Sequence, residues 1–319
     1  MFTVSAASAA SNASPFLELP GAVPGIGVDT GVAAHYGDPL REQKLLLAGE
    51  GIVDLSHRGV VRISGPDRLG WLHSLTTQQL TALAPNTPTL TLILSPHGHV
   101  EHALAGYDDG EAFWAHVEPG EAAPLVEWLD SMRFMMRVDV ADVSAEWAVV
   151  ARDSETSALV LRAELAALRE AAAPCGTWAH EALRIARGQA RMGVDTDHRT
   201  IPNEMGWIGT AVALDKGCYR GQETVARVHT LGRPPRRLVL LHLDGSVDRL
   251  PEHRSPVTLE GRDVGFVGSA ARHFELGPIG LALVKRSVPV DAELLADGVA
   301  AAQEVVVDPD AGLHVRARL

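Results

Sequence analysis

Cysteine and lysine are scarce in this chain, and it has no long apolar run. Only Cys175 and Cys218 are cysteines among 319 residues. Two cysteines in a chain of this length cannot form a disulfide framework, so the sequence favours a reducing compartment. No apolar run approaches the ~18–20 residues that span a bilayer. The first basic residue is Arg41, so the basic start of a secretory signal is missing. We therefore expect a cytoplasmic protein without a membrane segment.

Positive charge is also in deficit. The chain has 28 Lys and Arg against 40 Asp and Glu, a formal net charge of -12. A surface this acidic disfavours direct binding of nucleic acid or of an anionic membrane. The remaining composition, 46% hydrophobic and 21% charged, is typical of globular proteins, and the length allows two or three domains.

The order of patterns along the chain predicts three segments. Residues 1–43 are rich in Ala, Ser, Gly and Pro, which predicts a loosely ordered lead-in. Residues 44–232 mix strand-like and helix-like stretches, including an Ala/Leu/Glu-rich stretch over 157–173 that predicts a helix. From 233 to 319, short β-like runs separated by turn residues predict a small barrel. The expected fold class is therefore α+β with a C-terminal β-barrel.

The densest unusual motif is Asp215-Lys-Gly-Cys-Tyr-Arg-Gly-Gln-Glu223. It places the Cys218 thiol two residues after the Lys216 ammonium and just before a predicted helix start. A nearby lysine and a helix N-terminus both stabilise thiolate and raise its reactivity. Because most free cysteines are simply packed, a tight turn with a buried cysteine remains the alternative.

Two other patterns could bind a ligand. From Lys216 to Arg237 the local charge balance is +5, since six basic residues face one acidic residue. This segment could receive an anion, or it could be a solvated helix face. Glu204, in Pro202-Asn-Glu204, could accept hydrogen bonds from a planar N–H edge such as that of a pterin, or it could cap a polar turn.

The histidine-rich stretch is a weak candidate for a metal site. Its residues His97, His99, Glu101 and His102 lack the spacing of a metal motif, so no metal site is predicted.

The motif from Lys216 to Glu223, followed by Thr-Val-Ala-Arg227, resembles the signature of the YgfZ-type folate-binding proteins. These proteins are related to the T-protein (aminomethyltransferase) of the glycine cleavage system. Asp54-Leu-Ser-His-Arg-Gly59, Ile201-Pro-Asn-Glu204 and Val264-Gly-Phe-Val-Gly-Ser269 resemble further T-protein segments. The resemblance covers roughly residues 45–290.

The resemblance implies a T-protein-like αβ body around a channel that takes tetrahydrofolate or a one-carbon derivative, with Glu204 on the pterin. It implies a role in the assembly or repair of iron–sulfur enzymes, including those that modify tRNA. Iron–sulfur proteins or their assembly machinery would then be the partners. Cys218 and Lys216 match the positions that carry this function. The expected folate contacts are Glu204, Tyr219, Gln222, Glu223, Arg227 and Glu101.

One departure leaves alternatives open. The T-protein places an Asp beside the folate in a hairpin where this chain has Gly98-His-Val-Glu-His102. One-carbon transfer needs a carboxylate near the reacting nitrogen, and Glu101 is the candidate here. A folate-dependent aminomethyl or methyl transferase is thus the second hypothesis. A non-catalytic scaffold that binds a protein partner through the Arg-rich segment 227–237 is the third.

Overall fold

The computed structural model describes residues 13–153 and 156–313. The first twelve residues of the predicted lead-in and the last six of the predicted barrel segment lie outside the described residues. The chain forms two compact units. Unit 1 contains the chain up to Ile63, Trp114–Phe134 and Val140–Arg184, and unit 2 contains Ser64–Phe113, Met135–Asp139 and the chain from Ile185 onward.

The described helices and strands are numbered in chain order. The α-helices are α1 (Pro39–Leu47), α2 (Arg68–Leu75), α3 (Ala122–Ser131), α4 (Leu165–Ala171), α5 (Thr177–Ala186) and α6 (Gln222–Leu231). The strands of the first half are β1 (Val23–Pro24), β2 (Ala33–His35), β3 (Gly51–Asp54), β4 (Gly59–Ser64), β5 (Thr89–Leu94), β6 (Val100–Asp108), β7 (Ala112–Val117), β8 (Asp139–Asp142) and β9 (Trp147–Ala151). The later strands are β10 (Ser157–Leu161), β11 (Ala173–Cys175), β12 (Arg236–Leu243), β13 (Pro256–Leu259), β14 (Arg262–His273), β15 (Gly277–Lys285), β16 (Leu294–Ala296) and β17 (Val299–Val305).

From residue 13 onward, the lead-in forms short local elements and is attached to the core of unit 1. It contains a 3-10 turn over Pro15–Glu18 and the short antiparallel pair β1–β2. Phe16 in that turn is fully buried and packs against Ile52, Val150 and Leu165. Burial of one large aromatic side chain fixes this part of the chain to the core of unit 1.

The helix expected over 157–173 is only partly correct. Ser157–Leu161 forms β10, which pairs antiparallel with β9 in the sheet of order β10-β9-β3-β11. Only Leu165–Ala171 is α-helical within that stretch. Local helix propensity is a weak prior, and pairing with a buried strand overrides it here.

The hairpin of β5 and β6 carries one side of the candidate site in unit 2. Its turn passes through Gly98, whose φ is +81°. The register pairs Thr89 with Gly106 and Ile93 with His102, with a bulge next to Leu94.

The C-terminal strands close into a six-stranded barrel of order β12-β15-β14-β13-β16-β17. Its interior is apolar and includes Val239, Leu241, Val267, Val284 and Ala296. Closure removes exposed strand edges, which explains how such short strands form a stable unit. The expected α+β class with a small C-terminal barrel is confirmed. No helix of the described residues is long and apolar enough to cross a membrane.

Candidate functional site

The Lys216 ammonium is the centre of the motif in unit 2. Lys216 is buried, and its Nζ donates to the carbonyl oxygens of His73, Thr76 and Gln78, the last at 3.3 Å. His73 lies in the last turn of α2, where carbonyl groups lack helical partners. A cation at this end also complements the helix dipole. Lys216 therefore ties the end of α2 to the motif, while burial lowers its pKa to about 8.

The Cys218 thiol lies in a different environment. Cys218 is a free, exposed cysteine, and within the described residues no hydrogen bond joins its Sγ to Lys216. An ammonium has three protons to donate, and three carbonyl groups accept them. The lysine therefore holds the loop that carries the thiol, and the thiol itself faces solvent.

Glu101 and the motif are joined by an ion pair. Arg220 Nη1 lies 2.9 Å from Glu101 Oε2, and both side chains are about one third exposed. Tyr219, next to Arg220, is buried, its ring centroid lies 5.1 Å from Lys216 Nζ, and burial raises its pKa to about 12. Glu101 on β6 is thus brought to the motif, and its carboxylate is already engaged by a guanidinium.

Two glycines allow the motif to approach the hairpin. Gly221 has a φ of +81°, and a Cβ there would lie 2.6 Å from the Ser95 carbonyl oxygen and 2.9 Å from the Gly98 Cα. A Cβ on Gly98 would lie 2.8 Å from the Thr224 Cβ. Only glycine combines this backbone conformation with such close approach.

Replacement of Gly221 by alanine is expected to loosen the motif from the hairpin. The methyl group meets backbone atoms of Ser95 and Gly98, and the left-handed φ adds strain. We expect the free energy of unfolding to fall by about 2–4 kcal/mol. Urea unfolding followed by circular dichroism measures it.

Gly217→Ala is the matched control, since a Cβ at Gly217 meets nothing within 4 Å. We expect this variant to unfold within about 0.5 kcal/mol of wild type. Equal losses in the two glycine variants would contradict the close packing of Gly221 on Gly98.

Glu204 forms a buried ion pair that the sequence did not reveal. Its carboxylate is fully buried; Arg236 Nε donates to Oε1 and Nη2 to Oε2, both at 2.8 Å, and the Ile201 N–H donates to Oε2 at 3.1 Å. Arg236 also donates to both oxygens of Asp197, at 2.6 and 3.0 Å. One arginine therefore joins the two carboxylates.

Hydrogen bonding within this network shifts the pKa values of Asp197 and Arg236 in opposite directions. Burial acts to raise the pKa of Asp197, but hydrogen bonds from Arg236 outweigh it and hold that pKa well below its usual range. Burial acts to lower the pKa of Arg236, and the bonds to Glu204 and Asp197 outweigh it and raise that pKa. Asp197 and Arg236 are therefore both charged at neutral pH. Arg236 was missed as a site residue, although the basic excess over 216–237 signalled it.

Among the described residues, the remaining predicted folate contacts make no hydrogen bond with this pair. Glu223 and Arg227 are exposed on α6 and pair with each other at 2.7 Å. In the part of the chain that the structure describes, the Gln222 side chain has no hydrogen-bond partner. In the Arg-rich segment 227–237, Arg236 and Arg237 are engaged internally, the latter with Gln303 at 2.7 Å. Two of its arginines are thus not free to receive a partner.

The histidine-rich hairpin does not assemble a metal site. His97 and His99 have ring centroids 6.3 Å apart. Across residues 13–153 and 156–313, no three His, Cys, Asp or Glu residues are placed to hold a metal ion together.

Comparison with known proteins places this geometry in context. Residues 37–163 match the model of the GCVT N-terminal domain. An aminomethyltransferase of Geobacillus kaustophilus is 28% identical over 77% of this chain and 82% of its own length. A chloroplastic protein of Arabidopsis thaliana, whose name places it among the transferases, is 24% identical over 72% of this chain. That alignment spans 65% of the Arabidopsis protein, less than two thirds of its length.

The solved structures agree on the architecture. The glycine cleavage system aminomethyltransferase T of Bartonella henselae superposes with a TM-score of 0.74, covering 93% of this chain and 96% of that protein at 16% identity. The described chain, with its mixed α/β elements and closed six-stranded barrel, therefore has the fold of the glycine cleavage T-protein, and residues 37–163 carry its similarity to the GCVT N-terminal domain.

Proposed function

We propose that this protein is a YgfZ-type accessory protein that binds tetrahydrofolate, or a one-carbon derivative, and acts in the assembly or repair of iron–sulfur enzymes. One observation carries the proposal. In a T-protein fold, the motif loop packs its Gly221 on the hairpin turn at Gly98 and presents Cys218 to solvent. The loop that carries the exposed thiol thus packs on the hairpin in which the T-protein has its aspartate. Iron–sulfur proteins that modify tRNA are among the expected clients.

The Glu204 carboxylate could accept one pterin N–H once Arg236 moves aside. A carboxylate has about four acceptor sites, and Glu204 uses one on Oε1 and two on Oε2. One site on Oε1 remains. A bidentate pterin contact with both oxygens would require Arg236 to release one of them. Arg236 is 21% exposed while Glu204 is fully buried, so a ligand must open the pair to reach the carboxylate.

The proposal gives Cys218 and Lys216 different roles and keeps the other predicted residues as folate contacts. Tetrahydrofolate, when bound, supplies a carrier for one-carbon units. Cys218 is the reactive group because its thiol is free and exposed. Lys216 is a positioning residue, since its ammonium bonds the carbonyl groups at the end of α2. Tyr219, Gln222, Glu223, Arg227 and Glu101 remain proposed folate contacts.

Calorimetric titration of tetrahydrofolate and 5-formyltetrahydrofolate tests the folate proposal. We expect saturable binding to wild type and at least about tenfold weaker binding to Glu204→Gln, because the variant loses an acceptor for the pterin N–H. Circular dichroism of both proteins controls for folding. A ligand-dependent rise in the wild-type melting temperature is a second readout that needs no variant. Absence of both heat and thermal shift would overturn the proposal.

Replacement of Cys218 by serine tests the thiol. We expect Cys218→Ser to keep its fold and its folate affinity, because the side chain is exposed. We expect it to fail in restoring iron–sulfur enzyme activity to cells that lack the protein. Cys175→Ser is the comparison, since Cys175 is buried and contacts backbone carbonyls of unit 1. Full complementation by Cys218→Ser would show that the thiol has no role.

A folate-dependent aminomethyl transferase is the second candidate, and the similarity to aminomethyltransferases favours it. Glu101 would then be the carboxylate near the reacting nitrogen. In the structure its carboxylate is paired with Arg220, so that pair would have to open. Turnover of an aminomethyl donor with tetrahydrofolate, lost in Glu101→Gln, would establish this function in place of the first.

A further inference from the structure

The strand β10 forms one edge of the sheet in unit 1 whose order is β10-β9-β3-β11. Its register with β9 pairs Ser157 with Ala151 and Leu161 with Trp147, and no bulge interrupts it. An edge strand leaves one row of backbone N–H and C=O groups without a partner in its own sheet. The hydrogen bonds of the neighbouring strands show which residues form this row.

The backbone groups of β10 alternate between facing β9 and facing outward. Arg162 N–H donates to the Glu146 carbonyl oxygen at 2.8 Å, in the same register that joins β10 to β9. Because bonded and non-bonded residue pairs alternate in an antiparallel ladder, every second residue before Arg162 bonds β9. The residues between them direct their backbone groups away from the sheet: Ser157, Leu159 and Leu161.

The hydrogen bonds on the other side of β9 agree with this assignment. Leu55 N–H donates to the Val149 carbonyl oxygen at 2.9 Å, so the backbone of Val149 faces β3. Val149 lies opposite Leu159 in the register of β9 and β10. In the part of the chain that the structure describes, the N–H groups of Leu159 and Leu161 and the Leu159 carbonyl oxygen have no backbone partner.

This edge lacks the features that keep other edges from pairing with a second chain. Charged residues, proline and bulges usually protect an edge, and Ser157–Leu161, which reads Ser-Ala-Leu-Val-Leu, has none of them. The opposite edge, β11, is three residues long and contains Pro174. In unit 2, β5 pairs with β6 on one side, and on its other side Thr77 N–H donates to the Leu92 carbonyl oxygen. The edge at β10 is therefore open, and its Leu161 is 42% exposed.

The row of outward groups is symmetric about Leu159. A second copy that lies antiparallel, with a two-fold axis at Leu159, places Leu159 opposite its counterpart and Ser157 opposite Leu161. The two Leu159 residues then exchange hydrogen bonds, and each Leu161 N–H meets the Ser157 carbonyl oxygen of the other copy. Apolar side chains that lie opposite one another across the two strands add to the pairing. The strand is thus complementary to itself.

Charge favours a second copy of β10 over a charged peptide. The strand has no charged residue, although the chain as a whole has a net charge of -12. The next residue, Arg162, already donates to the carbonyl oxygens of Ser56 and Ser144, at 2.8 and 2.9 Å. In the symmetric register, Arg162 would lie opposite the uncharged Thr156. A neutral apolar strand therefore fits this edge, and β10 of a second copy is such a strand.

We propose that two copies of this protein form a weak, two-fold symmetric dimer by antiparallel pairing of β10 with β10. A single strand offers much less than the ~800 Å² that each partner buries in a stable interface. The dissociation constant is therefore expected to be of the order of 0.1–1 mM. A two-fold axis uses the same edge of both copies, so assembly ends at the dimer. The pairing does not depend on folate.

Sedimentation equilibrium of the wild type, from about 10 µM to about 1 mM, measures the self-association. We expect the mass to rise with concentration from the 33.9 kDa of one chain toward that of a dimer. A mass that stays at one chain over this range would overturn the proposal and leave the edge to a strand of another protein. Growth beyond the dimer would contradict the two-fold symmetry.

Replacement of Leu161 by proline removes one outward N–H and leaves the monomer intact. Leu161 has a φ of -63°, which a proline ring accepts, and its N–H has no backbone partner among residues 13–153 and 156–313. We expect dimer affinity to fall at least about tenfold. Leu161→Ala is the matched control, because it removes the same side chain and keeps the N–H, so we expect it to bind more tightly than Leu161→Pro. Equal affinities of the two variants would refute pairing through this edge.

A pair of charged variants tests the register. In Leu159→Lys or Leu159→Glu alone, like charges lie opposite one another on the two-fold axis, and we expect a monomer up to about 1 mM. In an equimolar mixture, opposite charges meet, and we expect association at least about tenfold tighter than that of either variant alone. A folding defect at this half-buried position would not be reversed by mixing. No gain in the mixture would show that Leu159 does not meet its counterpart.

Discussion

Replacement of Lys216 by methionine is expected to lower the free energy of unfolding by about 2–4 kcal/mol, because carbonyl groups at the end of α2 lose their donor. The Lys216 Nζ donates to His73, Thr76 and Gln78, and methionine keeps an unbranched side chain of similar shape that ends at Cε and has no N–H donor. Denaturant unfolding at pH 7 measures the loss.

Lys285→Met is the matched control. Lys285 is exposed, and its Nζ donates to one carbonyl oxygen, that of Asp263, at 2.9 Å. Water replaces that bond readily, so we expect a change within about 0.5 kcal/mol. Similar losses in the two lysine variants would contradict the role of Lys216 as a cap of α2.

The pH dependence of the Lys216 effect has a defined sign. Burial lowers the pKa of Lys216 to about 8, against about 10.4 for lysine in an unfolded chain. Between these values the unfolded state binds more protons, so this residue makes stability rise with pH. The wild-type free energy of unfolding minus that of Lys216→Met should therefore increase from about pH 8 to about pH 10.4. A difference that is flat over this range would show that the ammonium is not desolvated.

The same variant separates positioning from thiol activation. Because Lys216 Nζ bonds carbonyl groups and not the thiol, we expect alkylation of Cys218 by iodoacetamide to change by less than about twofold at pH 7. A tenfold slower reaction would assign the lysine to thiolate stabilisation instead.

Replacement of Glu204 by glutamine is expected to cost about 3–5 kcal/mol, because it breaks a buried charge pair while the guanidinium stays in place. The glutamine amide directs two donors toward groups that already donate, Arg236 and the Ile201 N–H. Thermal and urea unfolding by circular dichroism measure the loss. The folate titration must therefore be made well below the melting temperature of the variant.

Two further variants test whether the loss of stability increases with the burial of the carboxylate. Asp197 bonds the same arginine and is 23% exposed, so Asp197→Asn should cost less than Glu204→Gln. Glu18 pairs with Arg169 at 3.1 Å and is 75% exposed, so Glu18→Gln should stay within about 0.5 kcal/mol of wild type. An order other than Glu204, Asp197, Glu18 would contradict the burial of the pair.

Local patterns in the sequence predicted those helices and strands that have regularly spaced apolar residues or that are bounded by turn residues. The spacing of Leu125, Val126 and Leu129 predicts a helix over 122–132, which is α3, and the apolar run Gly59–Ser64 predicts the strand β4. Short β runs between Gly and Pro turns predicted the barrel, since turn chemistry and alternation act over a few residues. The motif from Lys216 to Glu223 was also visible in the sequence, with its glycines and its cysteine, whereas the exposure of the Cys218 thiol was shown by the structure.

Tertiary structure alone decided which groups meet. Arg236 reaches Glu204 and Asp197 across more than thirty positions, and Lys216 reaches carbonyl groups about 140 positions away. Backbone carbonyls have no side-chain signature, so no pattern could name the partners of Lys216. The strand at Ser157–Leu161 was missed because its pairing with β9, which the local sequence does not show, outweighs a local preference for helix. Local propensity depends on consecutive residues, whereas ion pairs and helix caps depend on distances that only the folded chain defines.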